Sequence, residues 1–178
     1  METDLGEIPY DFNCRLWGTK EHFYHDLIIE PFLQAGLICV STALGSLSGR
    51  GPEHFLGLQK RGKLNTHDPV SWSEALKPFG MKLAYLPFDT RKLRFYMDEL
   101  VELDDLFLLA YYSGMSLEIL QNPDENGYVC ESHVVILHRD QIIDPGLGES
   151  RPAWEHWCKA CHTKRLFRVV PRNHPRGL

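Results

Sequence analysis

Long apolar runs are missing from this sequence. The longest, Leu106 to Tyr112, falls far short of the ~20 residues a bilayer-spanning helix needs, so a soluble protein is expected. An excess of positive charge is missing too: 19 Lys and Arg stand against 24 Asp and Glu, for a net charge of -5. Nucleic acids and acidic membranes are held by clustered Lys and Arg, so neither partner is expected. Met1 to Tyr10 is acidic and lacks the basic start and apolar stretch of a secretory leader, which points to a cytoplasmic protein. Internal repeats, low-complexity tracts and Gly/Ser linkers are absent, so we expect one domain over residues 1–170. Pro171, Pro175 and Gly177 mark 171–178 as a flexible tail. Cysteine is sparse and odd in number, with five residues at 14, 39, 130, 158 and 161. That count does not suit a disulfide framework and favours free thiols in a reducing compartment.

What is present suits a globular core, with 43% hydrophobic and 11% aromatic residues. From Cys39, the positions Val40, Ala43, Leu44 and Leu47 recur at helical spacing until Gly49, Gly51 and Pro52 interrupt them, predicting a short buried helix. Ser71 to Lys77 reads as a helix capped by Ser71 with Glu74 three residues on, closed by Pro78 and Gly80. Lys82 to Leu86 reads as a strand, Thr90 to Leu100 as an amphipathic helix, and Leu106 to Tyr112 as a buried strand. Further strands are expected at Tyr128 to Cys130, His133 to Leu137, Gln141 to Ile143 and Leu166 to Val170. Helices before strands imply an α+β fold, N-terminal helices packed on a C-terminal antiparallel sheet.

A helix N-terminus carries partial positive charge that favours a thiolate, and Cys39 is placed at one. His133 and Asp144 lie on two apolar strands joined by a short polar turn. If the hairpin loop is two or four residues long, His133 opposes Gly146 and Asp144 is its diagonal neighbour; a turn centred one residue earlier sets His133 directly opposite Asp144. Either register lets the carboxylate reach the imidazole. A thiol hydrolase needs such a set: a nucleophile, a base to take its proton, and a third group to orient the base. The same residues also have plainer readings, with Cys39 a small core residue and Asp144-Pro145-Gly146 a simple turn. Gln34, five residues before Cys39, is the candidate side-chain donor to a developing oxyanion, or else an exposed loop glutamine.

The order Gln34, Cys39, a helix, then His133-Val134-Val135 and Asp144-Pro145 resembles the papain-like cysteine peptidases, most closely the branch that processes bacteriocin leaders after a double glycine. The segment Pro78-Phe79-Gly80-Met81-Lys82 between helix and strand is similar as well. The resemblance spans roughly Phe32 to Gly146. It implies a papain-like fold, a Cys39, His133 and Asp144 triad with Gln34 at the oxyanion, a protein or peptide substrate and no cofactor. It differs in having Ile38 and Val40 beside the cysteine. Transporter segments are not expected, so the transporter-linked role does not carry over.

Peptide cleavage and glutamine deamidation share one acyl-enzyme chemistry, so the triad leaves both open. A non-catalytic binding or inhibitory protein on the same fold is the reading from another class. Cys14 is the rival nucleophile, although no helix starts there. The nearby His22 and His25, in the amphipathic stretch Glu21 to Ile29, read as a solvated helix face. Cys158-Lys159-Ala160-Cys161-His162 matches a haem-attachment pattern that goes with export, and its side chains could instead ligate zinc with Cys130, His156 or His174. Helical spacing over Trp154 to Cys161 favours buried thiols, so no metal is expected.

Overall fold

The computed structural model describes residues 16–19, 21–36, 38–113 and 132–178. The expected strand Tyr128 to Cys130 and the rival Cys14 lie outside these residues. Helix α1 (Cys39–Ser48) is buried continuously from Val40 to Leu47 and ends at Gly49 in the left-handed region. The chain then turns so tightly that the amide of Gly51 donates to the carbonyl of Gly45. Helix α2 (Pro52–Lys60) follows, its proline fixing φ at a position whose N–H has no helical partner.

Helix α3 (Pro69–Leu76) starts earlier than the sequence reading places it, with Asp68 rather than Ser71 as its cap. The Asp68 carboxylate accepts from the amide of Val70, and the Ser71 hydroxyl donates back to the Asp68 carbonyl. Proline at the first helical position fixes the start one residue after a strong capping side chain, and that outweighs the Ser71/Glu74 pairing. A 3-10 turn (Lys77–Phe79) closes at Gly80. Strand β1 (Met81–Tyr85) leads to helix α4 (Arg94–Leu103), which begins later than Thr90. The intervening backbone is used elsewhere, since Leu93 N–H donates to the Cys161 carbonyl and Lys92 bridges His162.

The remaining strands are β2 (Leu106–Tyr112), β3 (Ser132–His138), β4 (Gln141–Asp144), β5 (Glu149–Pro152) and β6 (Thr163–Pro171). They join β1 in one sheet of order β1-β6-β2-β3-β4-β5, antiparallel throughout. The fold is α+β. Its helices do not share one face, however. Val40, Leu44, Leu76, Leu108, Ile136 and Val169 meet between α1, α3 and the sheet, while Met97, Leu100, Phe107, Leu109, Leu137 and Leu166 meet beneath α4 on the other side. Burial from both sides is why β2 is an uninterrupted apolar run rather than an alternating one. The polar β5 has a different setting, an edge strand with Glu149 and Arg151 paired at 3.0 Å and Pro152 at its end.

Residues 21–29 form no helix. The amides of Phe23 and Tyr24 donate instead to the carboxylate of Asp105, at 2.9 and 2.7 Å. Asp105 also pairs at 2.7 Å with Arg168 of β6, and both side chains are fully buried. The guanidinium donates to the Glu21 carbonyl and lies over the rings of Trp17 and Phe23, 4.7 and 4.9 Å from their centroids. Where the sequence predicts a flexible tail, residues 172–178 fold back along β1. Leu178 N–H donates to the Leu83 carbonyl, and Arg176 stacks on Trp17 at 3.7 Å. Among the described residues no helix is long and apolar enough to cross a membrane.

Candidate active site

Cys39 is the first residue of α1, and the residue before it, Ile38, has no side chain able to cap the helix. The first amides of α1 are therefore left to other acceptors. Helix α1 packs across β3, which carries His133 toward the thiol. Burial pushes the Cys39 thiol up, but its hydrogen bond to His133, the imidazole charge and the main-chain N–H groups of Val134 and Val40 bring it below the ordinary thiol value.

The β3–β4 hairpin sets the other half. Its pairs run Ile136 with Ile143, Leu137 with Ile142 and His138 with Gln141, around the two-residue loop Arg139 and Asp140. Arg139 has φ 60, an unfavourable conformation for a non-glycine residue, and is held there by its amide bond to the Asp105 carbonyl and its side-chain pair with Asp104. Continued outward, this register sets His133 against Gly146, with Asp144 on the diagonal. The His133 Nε2–H donates to Asp144 Oδ1 at 2.7 Å, which leaves Nδ1 for the thiol. Burial lowers the His133 imidazole, but the Asp144 carboxylate and Cys39 outweigh it and raise it to about 9. Tyr111, its partner on β2, packs edge-on against the ring at 5.8 Å.

Asp144 is 1% exposed, and burial alone would raise it. Three donors reverse that: His133, the Nε2–H of His156 at 2.7 Å on Oδ2, and the amide of Gly146 at 2.8 Å on Oδ1. They hold its carboxyl well below the usual carboxylate range. A side chain at Gly146 would press on the pair, since a Cβ there lies 3.2 Å from Asp144 Oδ1 and 3.5 Å from His133 Nε2, and the carboxylate would have to give by a few tenths of an ångström.

Gln34 reaches the site by its backbone, its amide donating to the Pro145 carbonyl at 2.8 Å. Its side-chain amide turns into its own loop and donates to the Gly36 carbonyl, while Oε1 is buried with no partner among the described residues. The structure thus brings Cys39, His133 and Asp144 together and sets Gln34 beside them with its side chain otherwise engaged.

His156 is the residue that sequence reasoning missed, having entered only as a possible fourth zinc ligand. No periodicity connects it with Asp144; the contact arises because the chain leaves β5 and returns over the carboxylate in a 3-10 turn (Ala153–Glu155). Helical spacing over 154–161 resolves into this turn and a second one, Trp157–Ala160. Cys158 is wholly buried, and burial, then Cys161 and Asp144, push its thiol up to about 12. Cys161 points to the Trp157 carbonyl, and the His162 ring is bound to the Thr90 carbonyl at 2.8 Å.

Among the described residues, the group with metal-ligand types in reach of one another is His22, His25 and Asp104, their ligand atoms within 4.8 Å. The two imidazoles are stacked, 4.8 Å apart with planes 14° from parallel. Imidazole lone pairs lie in the ring plane, so near-parallel rings cannot aim both at one ion without turning. His25 Nδ1 is already bound to Asp104 at 2.9 Å. Compared with known protein families, curated proteins and solved structures, the chain matches none.

Proposed function

We propose that this chain is a papain-like thiol hydrolase that cleaves an amide bond in a protein or peptide substrate. The observation that carries the reading is a helix-start thiol lowered by a neighbouring imidazole that is itself bound, at 2.7 Å, to a buried carboxylate. His133 takes the Cys39 proton and becomes an imidazolium, which Asp144 steadies. The thiolate sulfur attacks the carbonyl carbon, and the C=O electron pair moves to oxygen. Uncapped amides at the start of α1 face that charge, and Gln34 joins them as a donor only if its side chain leaves the Gly36 carbonyl. The imidazolium gives its proton to the departing amine as the C–N bond breaks, leaving a thioester. His133 then deprotonates a water that attacks the thioester, and the carboxylic acid departs as the thiol is restored.

The test is iodoacetamide labelling at neutral pH, read residue by residue by mass spectrometry, alongside hydrolysis of a peptide library. Cys39 is expected to label far faster than Cys158 and Cys161, and Cys39→Ala to abolish turnover in a folded protein. Labelling of Cys39 no faster than an unactivated thiol, with no turnover, would instead mark a binding protein on this fold.

A further inference from the structure

His156 is buried completely, so every polar atom it carries must be matched inside the protein. Its Nδ1 accepts from the Cys158 amide at 3.0 Å, and a nitrogen that accepts carries no proton. The ring proton therefore sits on Nε2, 2.7 Å from Asp144 Oδ2. The ring is held from the side by Trp157, stacked at 4.2 Å and 27°, with Arg151 5.8 Å over the same indole. Asp144 Oδ1 already serves His133 and Gly146, and among the described residues the donor to Oδ2 is His156. A buried carboxylate oxygen stripped of its donor favours protonation or rotation of the carboxyl.

We propose that His156 is a positioning residue: it locks Asp144 as a charged acceptor in one orientation, and thereby keeps the proton on His133, favouring the thiolate–imidazolium state of the Cys39 and His133 pair over the neutral thiol–imidazole state. This rests on the thiol-hydrolase reading for its consequence at Cys39, but not for its effect on Asp144. The other groups facing Asp144 do not substitute for it. Tyr111 on β2 is raised by burial and then by Asp144 itself, and Cys158 and Cys161 are raised by burial, so they remain neutral where the site works.

The experiment compares wild type, His156→Phe and His156→Gln. Phe keeps the ring against Trp157 but removes both nitrogens, and Gln restores an N–H toward Asp144. The pH profile of Cys39 alkylation is the readout. Phe is expected to slow alkylation about tenfold across the neutral range, where the neutral thiol–imidazole pair then competes, with rates converging in alkali. Gln is expected to recover most of the loss. A folded His156→Phe whose profile overlays wild type overturns the proposal. Nitrogen NMR of the wild-type ring decides it even if the Phe variant fails to fold: Nε2–H with bare Nδ1 is expected, and a proton on Nδ1 overturns it. Carboxyl NMR titration of Asp144 in a Cys39→Ala background separates the two readings. A rise in the Asp144 titration on His156→Phe, largely reversed in His156→Gln, supports the role of His156 even if Cys39 proves unreactive, and no rise in a folded His156→Phe removes it.

Discussion

Asp144 collects three donors on one buried carboxylate, so its charge matters more than its shape. Asp144→Asn keeps the volume and one oxygen, but must present an amide to one of two imidazole N–H groups. We expect turnover to fall by about 10³–10⁴-fold with little loss of binding, checked as kcat against KM. The same charge gives the fold a pH signature. His133 has its folded value raised from 6.5 to about 9, so its contribution to stability is complete below about 6.5 and is lost as pH rises through 9. The wild-type melting temperature is therefore expected to drop between pH 7 and 10 by more than that of His133→Phe, measured by calorimetry. Cys39, His133 and Asp144 were legible in the sequence because each sits at a marked local place, a helix start or the strands of one hairpin. His156 was not, because its contact depends on where a polar edge strand returns.

At the scale of elements, the start of α1 is aimed by the hairpin of α1 and α2. Gly45 lies where these helices cross, and a Cβ there falls 2.6 Å from the carbonyl carbon of Gly51 and the nitrogen of Pro52. Backbone cannot rotate aside as a side chain can. Gly45→Ala is expected to cost about 2 kcal/mol, lowering the melting temperature by roughly 4–8 °C, and to slow Cys39 alkylation as α1 shifts. A variant as stable and as reactive as wild type would show that the two helices do not set the thiol. The break at Gly49, Gly51 and Pro52 was visible in the sequence, as were the hairpin and β2, since glycine, proline and apolar runs act locally. Strand β5 was invisible because Glu149 to Pro152 carries no apolar alternation; hydrogen bonding to β4 alone makes it a strand. The cap of α3 went to the wrong residue because two local signals competed and proline won.

For the whole molecule, Asp105 and Arg168 join the N-terminal segment, the start of β2 and the centre of β6 in one buried ion pair. Asp105→Ala leaves the guanidinium buried with its main partner gone, and is expected to destabilise the fold by about 3–5 kcal/mol by urea unfolding. That pairing could not be read from the sequence, since its partners lie 63 positions apart. Nor could the division of helices between faces, which follows from strand order. Strand β6 lies between β1 and β2 although it follows both by a long stretch of chain. The consequence is kinetic. Neither β1 nor β2 can complete its pairing by a local hairpin, and each exposes a ladder edge until β6 threads between them. Loop closure over that distance must precede the reward of pairing, so refolding is expected in the millisecond-to-second range of strand-rich topologies, not the microseconds of helical ones. Stopped-flow refolding measures this directly. A chain paused before that step carries two open edges, which makes the interval before β6 arrives the one in which this protein is most exposed to self-association.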